Sequence, residues 1–297
     1  MTQTTIRATR AERDPAPAAR SGRSRDPARS GIVLRTVVAA VVSIIVIFPL
    51  YWMLVVAFSP SGDLFQPGWR LWPTEFTLDN FTRIFDRYPV GDWFLNSVVI
   101  GAIVTVVTVA LNLLAGYAFA KLKFPGNNTL FLLTLSTMMV PVQAIMVAQF
   151  RLVTGLGIYG SYWSVILPGA AAAFGVFLAR QFILGIPDEL IEAARIDGAG
   201  SFRTFWSIVL PLCRPLIAVL ALLTLLGSWN DFGWPLIALK DNALFTLPIG
   251  LLYLRGQTTP DFASIMALAL ISVLPMVILF LVFQRYFVQG FARSGIR

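Results

Sequence analysis

Six apolar stretches, separated by polar and charged turns, dominate the chain from residue 37 onward. They run over 37–58, 94–120, 130–150, 162–180, 216–238 and 262–283. A bilayer core about 30 Å thick needs a helix of about 20 residues, so each stretch predicts a transmembrane helix. The second is long enough to require tilt. Pro141, Pro168 and Pro275 lie inside three of the stretches, and Trp229-Asn230-Asp231, Gly233 and Pro235 interrupt the fifth. Neighbouring helices and waters satisfy the carbonyls that a proline frees, so kinked spans are expected. Between the first two, Thr77-Leu78-Asp79-Asn80-Phe81 opens either a short amphipathic helix or a loop packed on the bundle, and Trp69, Trp72 and Trp93 suit a headgroup interface. The pattern gives an all-α, polytopic membrane protein with six transmembrane helices.

Composition removes most alternatives. Of 297 residues, 57% are hydrophobic and 13% charged, against about 25% charged in an average soluble protein. Histidine is absent and Cys213 is the single cysteine. That excludes His-based triads, His-ligated metals, an internal disulfide and a Cys cluster within this chain. Paired carboxylates are missing from the spans, so an enzyme has nothing to work with. The net charge of +8 reads as positive-inside bias rather than as a nucleic-acid surface.

Charge placement then orients the chain. Residues 1–35 carry eight arginines, three acids and Pro15, Pro17 and Pro27. They read as a disordered basic cytoplasmic tail. No apolar core for a secretory signal lies within them, and the two close prolines disfavour a transit-peptide helix. With six spans, 17 of the 23 lysines and arginines fall on the side of the termini. Both termini are therefore expected in the cytoplasm. The transmembrane domain is expected over 36–290 and a short cytoplasmic tail over 291–297.

The most informative segment lies between spans four and five, at about 181–212. Pro187 suits the first position of a helix, Asp188 and Glu189 complement its positive end, and Gly198 suits a left-handed stop. A second helix starts at Ser201, a good N-cap. Phe202, Phe205, Trp206 and Val209 recur at helical spacing and predict one apolar face. Pro211 and Pro215 mark the return to the membrane. The residues alone allow two readings: a cytoplasmic knob that docks on a partner through Glu192, or a loop lying on the membrane surface.

The spacing Glu192-Ala193-Ala194, then Gly198, then Ile208-Val209-Leu210-Pro211 resembles the signature of ATP-binding-cassette (ABC) importer permeases. Asn96-Ser97, Phe174-Gly175-Val176-Phe177-Leu178, Ser228-Trp229-Asn230-Asp231-Phe232 and Gln284-Arg285-Tyr286-Phe287 are similar to the carbohydrate branch of that family, as its maltose- and glycerol-3-phosphate-type second permeases have them. Gly200 stands where serine or another small residue is expected. The resemblance covers about 37–290 and implies the type I importer fold. It further implies an ATPase-coupling role for Glu192, Ala193, Ala194, Asp197, Gly198, Ile208, Leu210 and Pro211. The implied partners are a second homologous permease, two ATP-binding subunits and an extracytoplasmic solute-binding protein, all at a bacterial plasma membrane. No cofactor is expected in this chain. ATP and Mg would sit on the partner, and indeed the sequence has no G-x-x-x-x-G-K-[ST] phosphate loop.

A carbohydrate needs hydrogen-bonding side chains in a wet cavity. Gln143, Trp229, Asn230 and Asp231 are the substrate-pathway candidates, whereas Asn112 and Gln149 suit interhelical hydrogen bonds. The alternatives are the same machine carrying a polyamine or peptide, and an ion-coupled secondary transporter. The latter wants buried charge, for which Asp231 is the sole candidate.

Overall fold

The structure, a computed structural model, describes residues 27–61, 71–170 and 172–294, with side chains over 32–61, 71–170 and 172–282. All regular structure among the described residues is helical. The chain divides into two units, Met1–Leu50 and Tyr51–Arg297. The first unit contributes the part of helix α1 (Pro27–Ala57) up to Leu50. Helix α1 opens at Pro27, so residues 27–35, read above as tail, are helical. The rest of the expected tail, with Asp63, Trp69 and Arg70 of the first loop and residues 295–297, lies outside the described residues.

Three helices are long and apolar enough to cross a bilayer over Ile32–Ala57, Val90–Lys121 and Phe262–Val282. Three further crossings are bent pairs, giving up to six. Of the two alternatives left open after Thr77, the short helix forms, as α2 (Asp79–Arg87), and α3 (Val90–Lys121) is the second span. The third stretch is broken rather than kinked. Helix α4 (Asn127–Ser136) tightens into a 3₁₀ turn, Thr137–Met139, before α5 (Val142–Gly155), and the two arms meet at 104°. The residue before a proline is driven out of the helical region, and Val140 is extended at φ −90°, ψ 118°. Helices α6 (Trp163–Gly169) and α7 (Ala173–Leu184) form the fourth crossing.

Next along the chain follow α8 (Asp188–Ile196), α9 (Ser201–Thr204), a π turn over Phe205–Val209 and α10 (Leu210–Leu212). An 80° bend then leads into α11 (Arg214–Asn230). Asp231 and Phe232 break the fifth stretch before α12 (Gly233–Ala238). Helix α13 (Leu247–Arg255), which the hydropathy pattern did not announce, precedes α14 (Phe262–Ser294), unbroken despite Pro275.

The N-terminal end of α3 organises the segments packed around it. Asn96 Nδ2 donates to the carbonyls of Ala243 (2.8 Å) and Phe245 (2.9 Å), and Ser97 Oγ accepts from the Leu247 amide at 2.8 Å. Trp93 is fully buried, not at the headgroup interface as its type suggests. Its indole donates to Asn242 O at 2.8 Å, and its ring lies where a Cβ on Gly250 would come within 2.2 Å. Asn80 ties α2 to the end of α1 by donating to Ala57 O (2.9 Å) and Ser59 O (2.8 Å). Arg83 pairs with Asp261 at 2.6 Å. Burial acts to raise the Asp261 carboxyl, but hydrogen bonds from Ser264 and Arg83 outweigh it and hold it below its usual value.

Helices α3 and α7 are in the closest contact. A Cβ on Gly116 would meet Ala179 Cβ at 2.5 Å, and one on Gly175 would meet Asn112 Nδ2 at 1.9 Å. Residues 112 and 116 advance one turn along α3 as 175 and 179 advance one turn along α7, so the two helices run parallel.

Candidate functional site

Helix α8 forms for the local reasons its sequence suggests. Pro187 is the N-cap rather than the first helical residue (φ −54°, ψ 134°), Asp188 and Glu189 fill the first turn, and Arg195 sits in the last. Gly198 is left-handed at φ +79°. Its amide bonds to Arg195 O at 3.0 Å, and the next amide, of Ala199, to Ala194 O at 2.9 Å. Those bonds close the helix and turn the chain into α9.

One face of α8 is anchored. Ile191 and Ala194 are buried, and Ile191 packs with Leu113, Tyr117, Ile183, Phe205 and Val209 in one core cluster. Two side chains from the C-terminal end of α3 hold the chain before and after α8. Lys121 Nζ donates to Ile186 O and to Asp188 Oδ1, each at 2.6 Å, and Tyr117 OH donates to Ser201 O at 3.2 Å. The hydrogen bond from Lys121, with its charge, holds the exposed Asp188 carboxyl below its usual value. Sequence reading counted Lys121 only as a positive-inside charge and passed over Tyr117. Neither position carries a local signal, because the partners are 67 and 84 residues away.

The other face is open. Glu192, Ala193, Asp197 and Gly198 are exposed, with Ile196 at 87%. The single apolar face expected for the second helix splits along its length. One ridge, Phe205 and Val209, packs into the core, whereas the other, Phe202 (71% exposed) and Trp206 (51%), stays outside, the two rings 6.0 Å apart. A helical stripe of about 100° presents two ridges, and the core here covers only one. Ile208 and Leu210 are partly buried, Leu210 against the core cluster, and Pro211 is exposed. Leu210 seats the second helix against the core, whereas Glu192, Ala193, Asp197 and Gly198 are exposed.

A second feature lies within the spans: a cavity of about 500 Å³ bounded by α3, α5, α6, α7, α11 and α12. Of the pathway candidates, Asn230 and Asp231 line it. Asn230 donates to Leu226 O at 2.8 Å, and Asp231 Oδ1 accepts from the Gly233 amide at 3.1 Å. Trp229 turns the other way, is buried, and donates to Ser272 O at 3.1 Å. Gln143 is exposed in the first turn of α5, beyond the 104° break, and is not among the lining residues. Asn112 and Gln149, read above as interhelical glue, line the cavity instead. Asn112 Nδ2 and Gln149 Oε1 are buried without a hydrogen-bond partner. No group of His, Cys, Asp and Glu among the described residues is arranged to hold a metal.

The chain has clear relatives. Residues 112–293 match the family described as binding-protein-dependent transport system inner membrane component. The arabinooligosaccharides transport system permease protein AraQ of Halalkalibacterium halodurans is 40% identical over 267 residues, which cover 89% of this chain and 96% of that one. The sn-glycerol-3-phosphate transport system permease protein UgpE of Pectobacterium atrosepticum is 34% identical over 275 residues, 90% and 98% of the two chains. Among solved structures, a bacterial ABC transporter involved in the import of the acidic polysaccharide alginate superposes with a TM-score of 0.80. It is 21% identical and covers 90% of this chain and 100% of its own, a likeness of fold.

Proposed function

The chain belongs to the family of binding-protein-dependent transport system inner membrane components, and we propose that it is the second permease of an ABC importer for a carbohydrate. The observation that carries this reading is the shape of the segment from Ile186 to Pro211. Helix α8, with one face locked into the core, offers Glu192, Ala193 and Ile196 on the other to a partner, and Phe202 and Trp206 of the next segment are exposed as well. Large apolar side chains beside a carboxylate on a cytoplasmic projection suit an interface core with one charged contact. An ATP-binding subunit is the partner that the family's mechanism requires, since the energy must come from another chain. ATP and Mg belong on that subunit, and this chain is a translocation component and not an enzyme.

In this reading both termini are cytoplasmic, in the plasma membrane, and the assembly holds a homologous permease, two ATP-binding subunits and an extracytoplasmic solute-binding protein. ATP binding draws the ATPase dimer together. The α8 helix moves with it, and the clamp of Lys121 and Tyr117 passes that movement to α3. The bundle then changes between inward- and outward-facing states, the ligand favouring one of them. The arabino-oligosaccharide and glycerol-phosphate relatives support a carbohydrate or related polyol as cargo.

The deciding experiment is to isolate the tagged chain from native membranes in mild detergent and identify what accompanies it. An ATPase and a second polytopic permease are expected, and Glu192→Lys should lose the ATPase while retaining the permease. The chain alone, with solute uptake into liposomes lacking ATP, overturns the reading.

A further inference from the structure

Between α2 and the segment that joins α13 to α14 lies a hollow of about 220 Å³, with Arg83, Arg87, Thr259, Asp261 and Ser264 in its lining. Its one acid is already spent. Asp261 Oδ1 accepts from the amides of Ala263 (3.2 Å) and Ser264 (3.4 Å). Oδ2 accepts from Ser264 Oγ (2.7 Å) and Arg83 Nη1 (2.6 Å). Those bonds fill the lone-pair sites of a carboxylate. Basic capacity is left over. Arg83 uses only Nη1, which reaches Ser61 as well, so its Nε and Nη2 are uncommitted. Arg87 donates to nothing and pairs with no acid among the described residues, and Thr259 Oγ1 is likewise uncommitted. Two guanidiniums against one carboxylate leave the lining one positive charge in excess. Arg87 lies in the last turn of α2, where it complements the helix dipole. That explains its charge but not the hollow beside it.

We propose that this hollow binds one phosphate oxyanion, held by Arg87, the free edge of Arg83 and the Thr259 hydroxyl. Phosphate presents several acceptor oxygens, and guanidinium forks meet them in charge-assisted bonds. A monoanion neutralises the excess charge. The hollow has room for a tetrahedral group and not for an oligosaccharide, and it shares no lining residue with the large cavity between the spans. Its position names two sources of the ligand. Tyr88 and Asp261 stand just before the crossings that begin at Val90 and Phe262. Trp72, Phe76, Leu78 and Phe85, on α2 and just before it, are exposed. Aromatic and apolar side chains at the start of spans suit a bilayer interface, which puts a phospholipid headgroup within reach. Inorganic phosphate offers the same chemistry from solution. Once bound, phosphate ties α2 to residues 256–260, since Arg87 belongs to one and Thr259 to the other.

The test uses the assembly isolated through the tagged full chain, in detergent freed of lipid. Inorganic phosphate or dioctanoyl phosphatidylglycerol should raise its thermal midpoint, saturably, over chloride at matched ionic strength. Trypsin cleavage after the exposed Arg255, read by mass, should slow by about tenfold at a ligand concentration about ten times Kd. Arg87→Gln should raise the apparent Kd at least about tenfold, and Arg87→Lys, which keeps the charge without the fork, should do so less. Arg87 is exposed, so its replacement should leave the ligand-free midpoint in place. Thr259→Val, also an exposed change, carries the comparison if Arg87→Gln fails to assemble. Phosphatidylglycerol acting at far lower concentration than inorganic phosphate identifies the headgroup as the ligand, and the reverse identifies the free ion; both keep the site. An equal effect of dioctanoylglycerol, which has the chains and no phosphate, overturns it. Shifts of unchanged size in Arg87→Gln and Thr259→Val also overturn it, because a phosphate salt strengthens burial in any protein. No shift and no protection with either probe overturns it as well. The importer reading stands under every one of these outcomes.

Discussion

Lys121 and Asp188 meet at 2.6 Å although the lysine side chain is only 4% exposed and the aspartate 75%. The lysine is therefore held by the protein and the carboxylate comes to it. An exposed ion pair contributes little by itself. The more consequential bond is from the same ammonium to Ile186 O, two residues before α8 begins.

Lys121→Met is expected to leave Ile186 O without its donor, at a local cost of about 1–3 kcal/mol. Protease nicking between α7 and α8 should rise, measured against the wild-type assembly. The pH dependence has a definite sign. Asp188 titrates below its usual value because Lys121 favours its charged form, so the pair's contribution is present above the ordinary carboxylate pKa. It is lost as pH falls through the lowered folded value. Site-specific NMR of labelled Asp188 should show its pKa return toward the ordinary value in Lys121→Met. An unchanged titration refutes the pairing.

Gly198 should resist replacement in proportion to the cost of a left-handed backbone. Gly198→Ala is expected to cost about 1–2 kcal/mol at the turn and Gly198→Asn less. Gly198→Pro, unable to adopt a positive φ, should detach α8 from α9. The readout is ATP-driven uptake by the assembled complex alongside surface amount. Equal uptake in all three variants is inconsistent with the turn seen at φ +79°.

The α3–α7 contact makes a prediction with an internal control. Gly116→Ala adds a methyl 2.5 Å from Ala179 Cβ and 2.9 Å from Arg180 N. Overpacking of that kind costs about 1–3 kcal/mol and should lower the thermal midpoint of the purified assembly. Gly155→Ala, with nothing within 4 Å of the new atom, should leave the midpoint where it was.

Ile196→Ala and Phe202→Ala remove exposed apolar groups. The stability of the isolated chain should change by less than about 0.5 kcal/mol, while ATPase retention in mild detergent falls tenfold or more. Parallel loss of stability and retention assigns these side chains to the fold instead of an interface.

What the sequence disclosed and what it withheld follow a physical divide. Pro187, Asp188, Glu189 and Gly198 act within one turn of themselves, so α8 and its stop were legible to within a residue or two. Spans were legible because apolar length is a local quantity. The right-angle break at Pro141 was not, since a proline reads the same whether its helix bends slightly or ends. Trp93 suggests an interface by residue type, yet Gly250, far along the chain, supplies the hollow it fills. The unmet atoms of Asn112 and Gln149 come from two separate helices, and no spacing rule connects them.

Helix α3 runs through 32 residues with no proline and no break, about 48 Å of continuous hydrogen-bonded rod. Asn96 and Ser97 grip residues 243–247 at one end, and Tyr117 and Lys121 grip the chain on either side of α8 at the other. A rod without a joint stores little delay. Fluorophores placed on α13 and on α8 of the same chain should therefore relax with one shared time constant after an ATP jump. Two distinct constants would require a joint in a helix that has none.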